Sequence, residues 1–409
     1  MNILALAGGV GGAKLAHGLA QILPPENLTV IVNTGDDFEH LGLSISPDLD
    51  TVCYTLAGLA NPDTGWGRAG ETWNAMANLK RLGAADWFNL GDSDLATHIE
   101  RTRRLKEGQS LSQVTRDFCK AWGVKHTVLP MSDQPVRTIV ETDEGDLPFQ
   151  EYFVRRRCRP RVKGFRFEGL GAASPAAGTR EAFESADAIV VCPSNPWVSV
   201  DPILAVLRLP PSAVPRVAVS PIIAGQTVKG PAAKMYAELG IEPSALAVAG
   251  HYENFLTGIV VDSADSELAK QIKIQTLVTN TYMKTVADRA RLAREVLHWR
   301  QYLAQQLFKP DGTPSDQFFQ MGVFQPQQGG EHRHRRARCR AVIAIADGGV
   351  QTGAGFFLDF FQHGKKPPQP IGRMLIFGVE HGQKLLLWAM AKTDGTVQAR
   401  LNDSGAQTM

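Results

Sequence analysis

The sequence predicts an α/β fold: a doubly wound, mainly parallel Rossmann-like sheet with a helical and hairpin insertion and an uncharacterised C-terminal extension. Two observations carry this. The first 32 residues give an apolar run, a glycine-rich turn, a helical stripe and a second apolar run, which is a βαβ unit. Two later β-branched runs, Ala188 to Cys192 and Val217 to Ser220, each end in a turn rich in Ser, Pro or Asn. That is how parallel strands carry functional loops at their C-terminal ends.

The elements follow in order. Asn2 to Ala7 reads as the first strand and Gly8-Gly9-Val10-Gly11-Gly12 as the turn. Leu15, Leu19 and Leu23 give a helix over 13–23, which Pro24-Pro25 stops. Leu28 to Val32 is the second strand. Ser46-Pro47 starts a helix striped by Leu49, Val52, Cys53 and Leu56. Further helices are expected over 71–82, 94–106 and 112–122, the last closed by Gly123. Val136 to Glu141, the turn Asp143-Glu144-Gly145-Asp146 and Phe149 to Arg155 read as a β-hairpin. The expected division is a main domain over 1–297, with the insertion at about 60–170, and an extension over 298–409.

Composition narrows the function classes. The chain has 409 residues, 43 Lys plus Arg and 41 Asp plus Glu, a formal charge of +2. That gives no bulk polyanion signal, so no nucleic-acid partner is expected. No apolar run approaches the ~18 residues of a membrane span, and no membrane partner is expected. Five scattered cysteines without a Cys-x-x-Cys point to reduced thiols and a cytoplasmic setting. Residues 298–409 hold 13 basic and 8 acidic side chains, against 30 and 33 in 1–297. A basic run, His332 to Arg340, lies in this tail.

Three groups of residues suggest chemistry. Gly8, Gly9, Gly11 and Gly12 let backbone N–H groups approach a phosphate at a helix N-terminus, and Lys14 adds a cation. G-x-G-x-x-G fails because Lys14 stands where its last glycine would be, and a Walker A loop fails at Ala13-Lys14-Leu15. The second group is acidic: Asp36 and Asp37 after strand two, Asp48 and Asp50 at the next helix start, and Asp92 and Asp94 in a Gly-Asp turn. Oxygen-only clusters suit Mg²⁺, though Asp48 and Asp50 stand about 200° apart on a helix and cannot both face one ion. The third group is Asn33, Ser194, Asn195, Ser220 and Lys229 at strand ends, suited to nucleotide and phosphate binding. His98 lies four residues after Asp94, within reach along one helix face, and reads as a structural histidine. Trp66, Trp73 and Trp87 either wall a flat ligand or pack a core.

These motifs stand in a recognisable order. They are Gly8 to Lys14, Val32-Asn33-Thr34-Gly35-Asp36-Asp37, Ser46-Pro47-Asp48-Leu49-Asp50-Thr51, Leu90 to His98, Leu129-Pro130-Met131-Ser132-Asp133, Pro193-Ser194-Asn195-Pro196 and Ser220-Pro221-Ile222-Ile223. Together, over about 1–295, they resemble the 2-phospho-L-lactate transferase (CofD) family of coenzyme F-420 biosynthesis. Trp66-Gly67 and Glu71-Thr72-Trp73-Asn74 resemble its bacterial branch. The resemblance implies a Mg²⁺-dependent enzyme, acting as a homodimer. A guanosine diphosphate-linked three-carbon acid phosphate donates its phospho-acyl group to the 5′-hydroxyl of the deazaflavin Fo, and GMP leaves. It implies Fo contact at Asp50 and Asn89, and the acidic cluster itself offers Asp48 and Asp50 as catalytic residues and Asp36, Asp48 and Asp50 as metal contacts. Asn89 departs from the Lys or Arg common there.

Two other classes fit parts of the pattern. A non-catalytic sister family, resembling gluconeogenesis factors, binds nucleotide sugars on the same fold. The Asp48-Leu49-Asp50 element and the stretch from Trp66 to Asn74 favour the transferase. A Rossmann oxidoreductase is disfavoured by the failed G-x-G-x-x-G, although Asp36 stands near the acidic position such an enzyme needs.

Overall fold

The structure, a computed structural model, describes residues 1–209 and 214–306 and the strands Met374–Glu380, Gln383–Ala391 and Val397–Leu401. Seven parallel strands form the main sheet. They are β1 (Ile3–Ala7), β2 (Leu28–Val32), β3 (Thr127–Pro130), β4 (Ala188–Val191), β5 (Arg216–Val219), β6 (Gly258–Asp262) and β7 (Gln275–Thr279). Their spatial order is β3-β2-β1-β4-β5-β6-β7, so the chain winds outward in both directions from β1. This is the doubly wound fold the sequence predicts.

Both faces of the sheet are covered, and the side-chain alternation shows it. Ile3, Ala5 and Ala7 of β1 join one apolar cluster, while Leu4 and Leu6 join the other. On the first face lie α1 (Gly9–Ala20), α2 (Pro47–Leu56) and the long helix Val286–Gln306, through Leu15, Leu19, Val52, Leu292 and Val296. The glycine turn itself forms the first turn of α1, which starts at Gly9 and not at Ala13. Glycines allow the chain to turn straight from strand to helix, Gly9 at φ +65°.

Between β2 and β3 stand α3 (Asn74–Arg81), α4 (Asp92–Lys106) and α5 (Leu111–Ala121). A capping box of Ser110 and Gln113 starts α5. The expected hairpin is a three-stranded antiparallel sheet, Gly145–Pro148, Arg137–Thr142 and Val162–Glu168. Phe149 to Arg155 is not its second strand. Thr142 pairs with Gly145, so Gly145–Pro148 takes that place, and Glu151–Arg155 coils into a helical turn with Phe149 stacked on Phe153.

The long helix runs unbroken through residue 297. Its Trp299 and Leu303 pack so closely on β6 that a methyl group on Gly258 would meet both. The chain forms two contact units, Met1–Arg333 and His334–Met409. In the second, Met374–Glu380, Gln383–Ala391 and Val397–Leu401 pair as an antiparallel sheet. The basic run His332–Arg340 and the apolar run Ala341–Ala346 lie outside the described residues.

Candidate functional site

Ligands of doubly wound sheets bind beyond the carboxyl ends of the strands, where the strand order reverses. That point lies between β1 and β4, and a cleft of about 710 Å³ opens there. Gly8, Gly9 and Gly11 line it after β1, Pro193, Ser194 and Asn195 after β4, and Ser220 after β5. The walls approach closely. Gly8 N donates to Ser194 Oγ at 3.0 Å, and a Cβ on Gly11 would sit 2.3 Å from Pro193 O. A Cβ on Gly12 would sit 2.5 Å from Ser194 Oγ.

The acidic residues separate into distinct places. Asn33 Nδ2 donates to Asp48 Oδ2 at 2.9 Å and to Asp36 Oδ1 at 3.2 Å. Ser199 Oγ also donates to Asp48, and Gln150 Nε2 to Asp36 Oδ2. Burial pushes the Asp48 carboxyl up to about 6, with Asn33, Gly9 and Ser199 drawing it back. Burial and the neighbouring charges of Asp48 and Asp37 raise Asp36 well above the carboxylate range. Asp37 accepts from Ser46 Oγ at 2.8 Å, and burial raises it to about 7.

Asp50 faces the other way around α2, as the helical spacing requires. The guanidinium of Arg101 on α4 grips both its oxygens, Nη1 to Oδ2 at 3.0 Å and Nη2 to Oδ1. Burial works against the Arg101 charge, but Asp50 outweighs it and holds that group above its ordinary range. Arg101 Nη1 also contacts His98 Nδ1 at 3.1 Å. His98 Nε2 stands 3.3 Å from Asp94 Oδ1, outside hydrogen-bonding geometry. Tyr54 Oη donates to Asp94 Oδ1 at 2.7 Å. Burial would raise Asp94, but His98, Tyr54 and Arg101 reverse it and hold the carboxyl low.

Asp92 is elsewhere: it caps α3, accepting from Thr72 Oγ1 and from the backbone of Asn74 and Ala75. Glu71 caps α4 through Ser93 N and Asp94 N. Asn89 and Lys14 line the cleft, and Lys14 Nζ donates to Met283 O at 3.0 Å. Burial and the charges of Arg289 and Lys229 lower the Lys14 ammonium. Lys229 also lines the cleft and donates to Thr64 O. Ser220 and Asn195 spend hydrogen bonds on their own turns, at Ile222 and Trp197. Trp66, half exposed, and Phe153, Val228 and Tyr282 present apolar surface to the cleft. Trp87 lines it too while packing on Phe38 and His40, whereas Trp73 does not.

A divalent cation fits Asp36 and Asp48. Two buried carboxylates share one amide donor there, and without a cation both are driven toward their protonated forms. Asp50 does not fit as a ligand of the same ion, because it faces the other side of α2 from Asp48 and its charge is already paired with Arg101. Among the described residues no three His, Cys, Asp or Glu side chains are grouped to hold a metal. The remaining positions of an ion at Asp36 and Asp48 would fall to phosphate oxygens and water, the habit of Mg²⁺.

Sequence reasoning did not find Arg101, Tyr54, Gln150 or Ser199 at this site. Arg101 carried a usable signal, since it follows Asp94 and His98 at i+7 and i+3 on one face of α4. Gln150 and Ser199 carried none, for only tertiary packing brings them to Asp36 and Asp48.

A doubly wound α/β protein with a phosphate-suited glycine turn and buried acids at its switch point is the class that fold and site define. The chain belongs to the 2-phospho-L-lactate transferase CofD family, whose model matches residues 3–300. It is 43% identical over 310 residues to a phosphoenolpyruvate transferase of Streptomyces griseus, covering 73% of this chain and 98% of that protein. It is 39% identical over 304 residues to a 2-phospho-L-lactate transferase of Methanopyrus kandleri, covering 73% of this chain and 97% of that protein. A solved structure of a upf0052 family member from Bacillus halodurans aligns with a TM-score of 0.48 at 16% identity, over 72% of this chain and 98% of that one. No helix among the described residues is long and apolar enough to cross a membrane.

Proposed function

We propose that this chain transfers the phospho-acyl group of a guanosine diphosphate-linked three-carbon acid to the 5′-hydroxyl of the deazaflavin Fo. The hydroxyl oxygen bonds to the phosphorus that carries the acid. The bond from that phosphorus to the oxygen bridging toward guanosine breaks, GMP leaves, and the hydroxyl proton is released. The observation that carries the reading is one cleft lined by the glycine turn, Lys14, Lys229, the Asp36–Asp48 pair and Asp50.

Each part has a task in that reaction. The backbone of Gly8 to Gly12 and Lys14 hold the diphosphate, since phosphoryl transfer needs mainly positioning and charge neutralisation. Asp36 and Asp48 would hold Mg²⁺, which when bound offsets charge on the phosphates. Asp50, fixed by Arg101, keeps lone pairs free to accept from the attacking hydroxyl. The apolar rim at Trp66, Phe153 and Tyr282 offers stacking and contact surface for a flat ring system. The same reading takes the enzyme to be a cytoplasmic homodimer. The test is GMP release from lactyl, enolpyruvyl and glyceryl donors with Fo and Mg²⁺. One active donor supports the reading, and folded protein that releases no GMP from any of them overturns it.

A further inference from the structure

Four ionisable side chains form an unbroken line, Asp94, His98 and Arg101 on α4 and then Asp50 on α2, of which Asp94, His98 and Asp50 line the cleft and Arg101 lies behind them. His98 and Arg101 are each 2% exposed and Asp50 is 5% exposed. We propose that Arg101 is a positioning residue: its guanidinium orients the Asp50 carboxylate toward the cleft and fixes the tautomer of His98. The proposal rests on the transfer reading above.

The tautomer follows from donor counting. A guanidinium has five N–H donors and no acceptor. The 3.1 Å contact of Arg101 Nη1 with His98 Nδ1 therefore uses the Nδ1 lone pair. The proton of the neutral ring then sits on Nε2, the nitrogen 3.3 Å from Asp94 Oδ1. Asp94 is itself held by Tyr54 Oη at 2.7 Å, and the α4 backbone at Asp94 is pinned by Glu71. The groups facing His98 are thus Asp94 and Arg101 from its own helix and Asp50 from α2, whose Oδ2 is 3.8 Å from Nδ1.

The fork does for Asp50 what a point charge cannot. Two parallel contacts fix the plane of the carboxylate, and a Lys in its place would fix only one oxygen. Arg101 also rests over the Phe118 ring at 6.0 Å and reaches Ser44 O at 3.4 Å, so its head has little freedom. The lone pairs that Asp50 keeps are then presented in one orientation to a hydroxyl in the cleft. A displacement of about 1 Å in such an acceptor costs on the order of 10²-fold in rate.

The experiment uses the full chain labelled with ¹⁵N-histidine, together with Arg101→Lys, Arg101→Met and His98→Asn. Nitrogen chemical shifts report the His98 tautomer without any substrate. The expected result is an unprotonated Nδ1 and a protonated Nε2 in the wild type, with mixed tautomers in Arg101→Met. In the transfer assay, Arg101→Met and Arg101→Lys should lower kcat on the order of 10²-fold with KM for the guanylylated donor little changed. His98→Asn leaves the Arg101–Asp50 pair in place and serves if Arg101→Met does not fold; its kcat loss should be smaller than that of Arg101→Lys. A proton on Nδ1 in the wild type, or near-normal kcat in folded Arg101→Lys, overturns the proposal. A wild type that releases no GMP fails the transfer reading, and the nitrogen shifts then decide the His98 arrangement by themselves.

Discussion

The side-chain amide of Asn33 donates to Asp48 Oδ2 at 2.9 Å, tying the end of β2 to the first turn of α2. The same nitrogen reaches Asp36, so one donor serves two buried carboxylates. Burial, and for Asp36 the neighbouring charges as well, makes their ionisation costly until a cation arrives. A carboxyl raised in the folded state costs nothing below its unfolded value near 4, and its cost grows as pH rises toward the folded value. For Asp48 that value is about 6. Above it Asp48 ionises and can take up a cation. The increase in Tm caused by Mg²⁺ should thus be larger at pH 8 than at pH 5, and Asp48→Asn should abolish it. A Mg²⁺ effect that is the same at both pH values, or that survives Asp48→Asn, would show the ion sits elsewhere.

Asp50→Asn should reduce turnover by on the order of 10²–10⁴-fold. It should also lower stability, because it leaves Arg101 as a buried charge without its carboxylate. Breaking a buried pair by removing one partner costs about 3–5 kcal/mol. Pairing the change with Arg101→Met removes the orphaned charge, and urea unfolding of the double variant should recover part of the loss. A double variant less stable than Asp50→Asn alone would deny the coupling.

Gly11→Ala tests the closeness of the cleft walls. Its new methyl group would stand 2.3 Å from Pro193 O, a backbone atom with no freedom to swing away. Overpacking of this kind costs about 1–3 kcal/mol. Chemical denaturation should show that loss, accompanied by weaker guanine-nucleotide binding in calorimetry. Unchanged nucleotide affinity would separate the glycine turn from the phosphate site.

A chain ended at Gln306 should fold and keep its activity, since every cleft residue precedes Met283 or is Met283 itself. Ending it at Arg300 removes Leu303, which is 1% exposed and packed against Gly258 of β6. That shorter chain should unfold at a lower temperature than the Gln306 chain, as a thermal melt will show. Equal melting temperatures would mean the last turns of the helix do not support β6.

The sheet was legible because its strands are short, apolar and punctuated by Gly, Pro, Ser or Asn at their carboxyl ends. The glycine turn and the strand-end residue Ser194 line the cleft, and Asn33 lies buried against its Asp36 and Asp48, for the same reason: the fold class fixes where strand ends go. The hairpin was misread because Phe149, Tyr152, Phe153 and Val154 look like a strand when turn register is ignored. Thr142 opposite Gly145 fixes a two-residue turn, and the aromatics stack at i, i+4 instead. Spacing separated Asp48 from Asp50 around α2 but could not name the partner of either. Arg101 is fifty-one residues from Asp50 in the chain, and only the packing of α4 beside α2 brings them together.

The proposed transfer requires the hydroxyl to attack the phosphorus bearing the acid and not the one bearing guanosine. The most direct measurement is the mass of both products after incubation with Fo, a guanylylated three-carbon donor and Mg²⁺. The expected products are GMP and a phosphodiester joining Fo to the acid, with an ¹⁸O label in the Fo 5′-hydroxyl retained in that phosphodiester. An Fo–GMP conjugate with free phospho-acid, or ¹⁸O appearing in GMP, would contradict it.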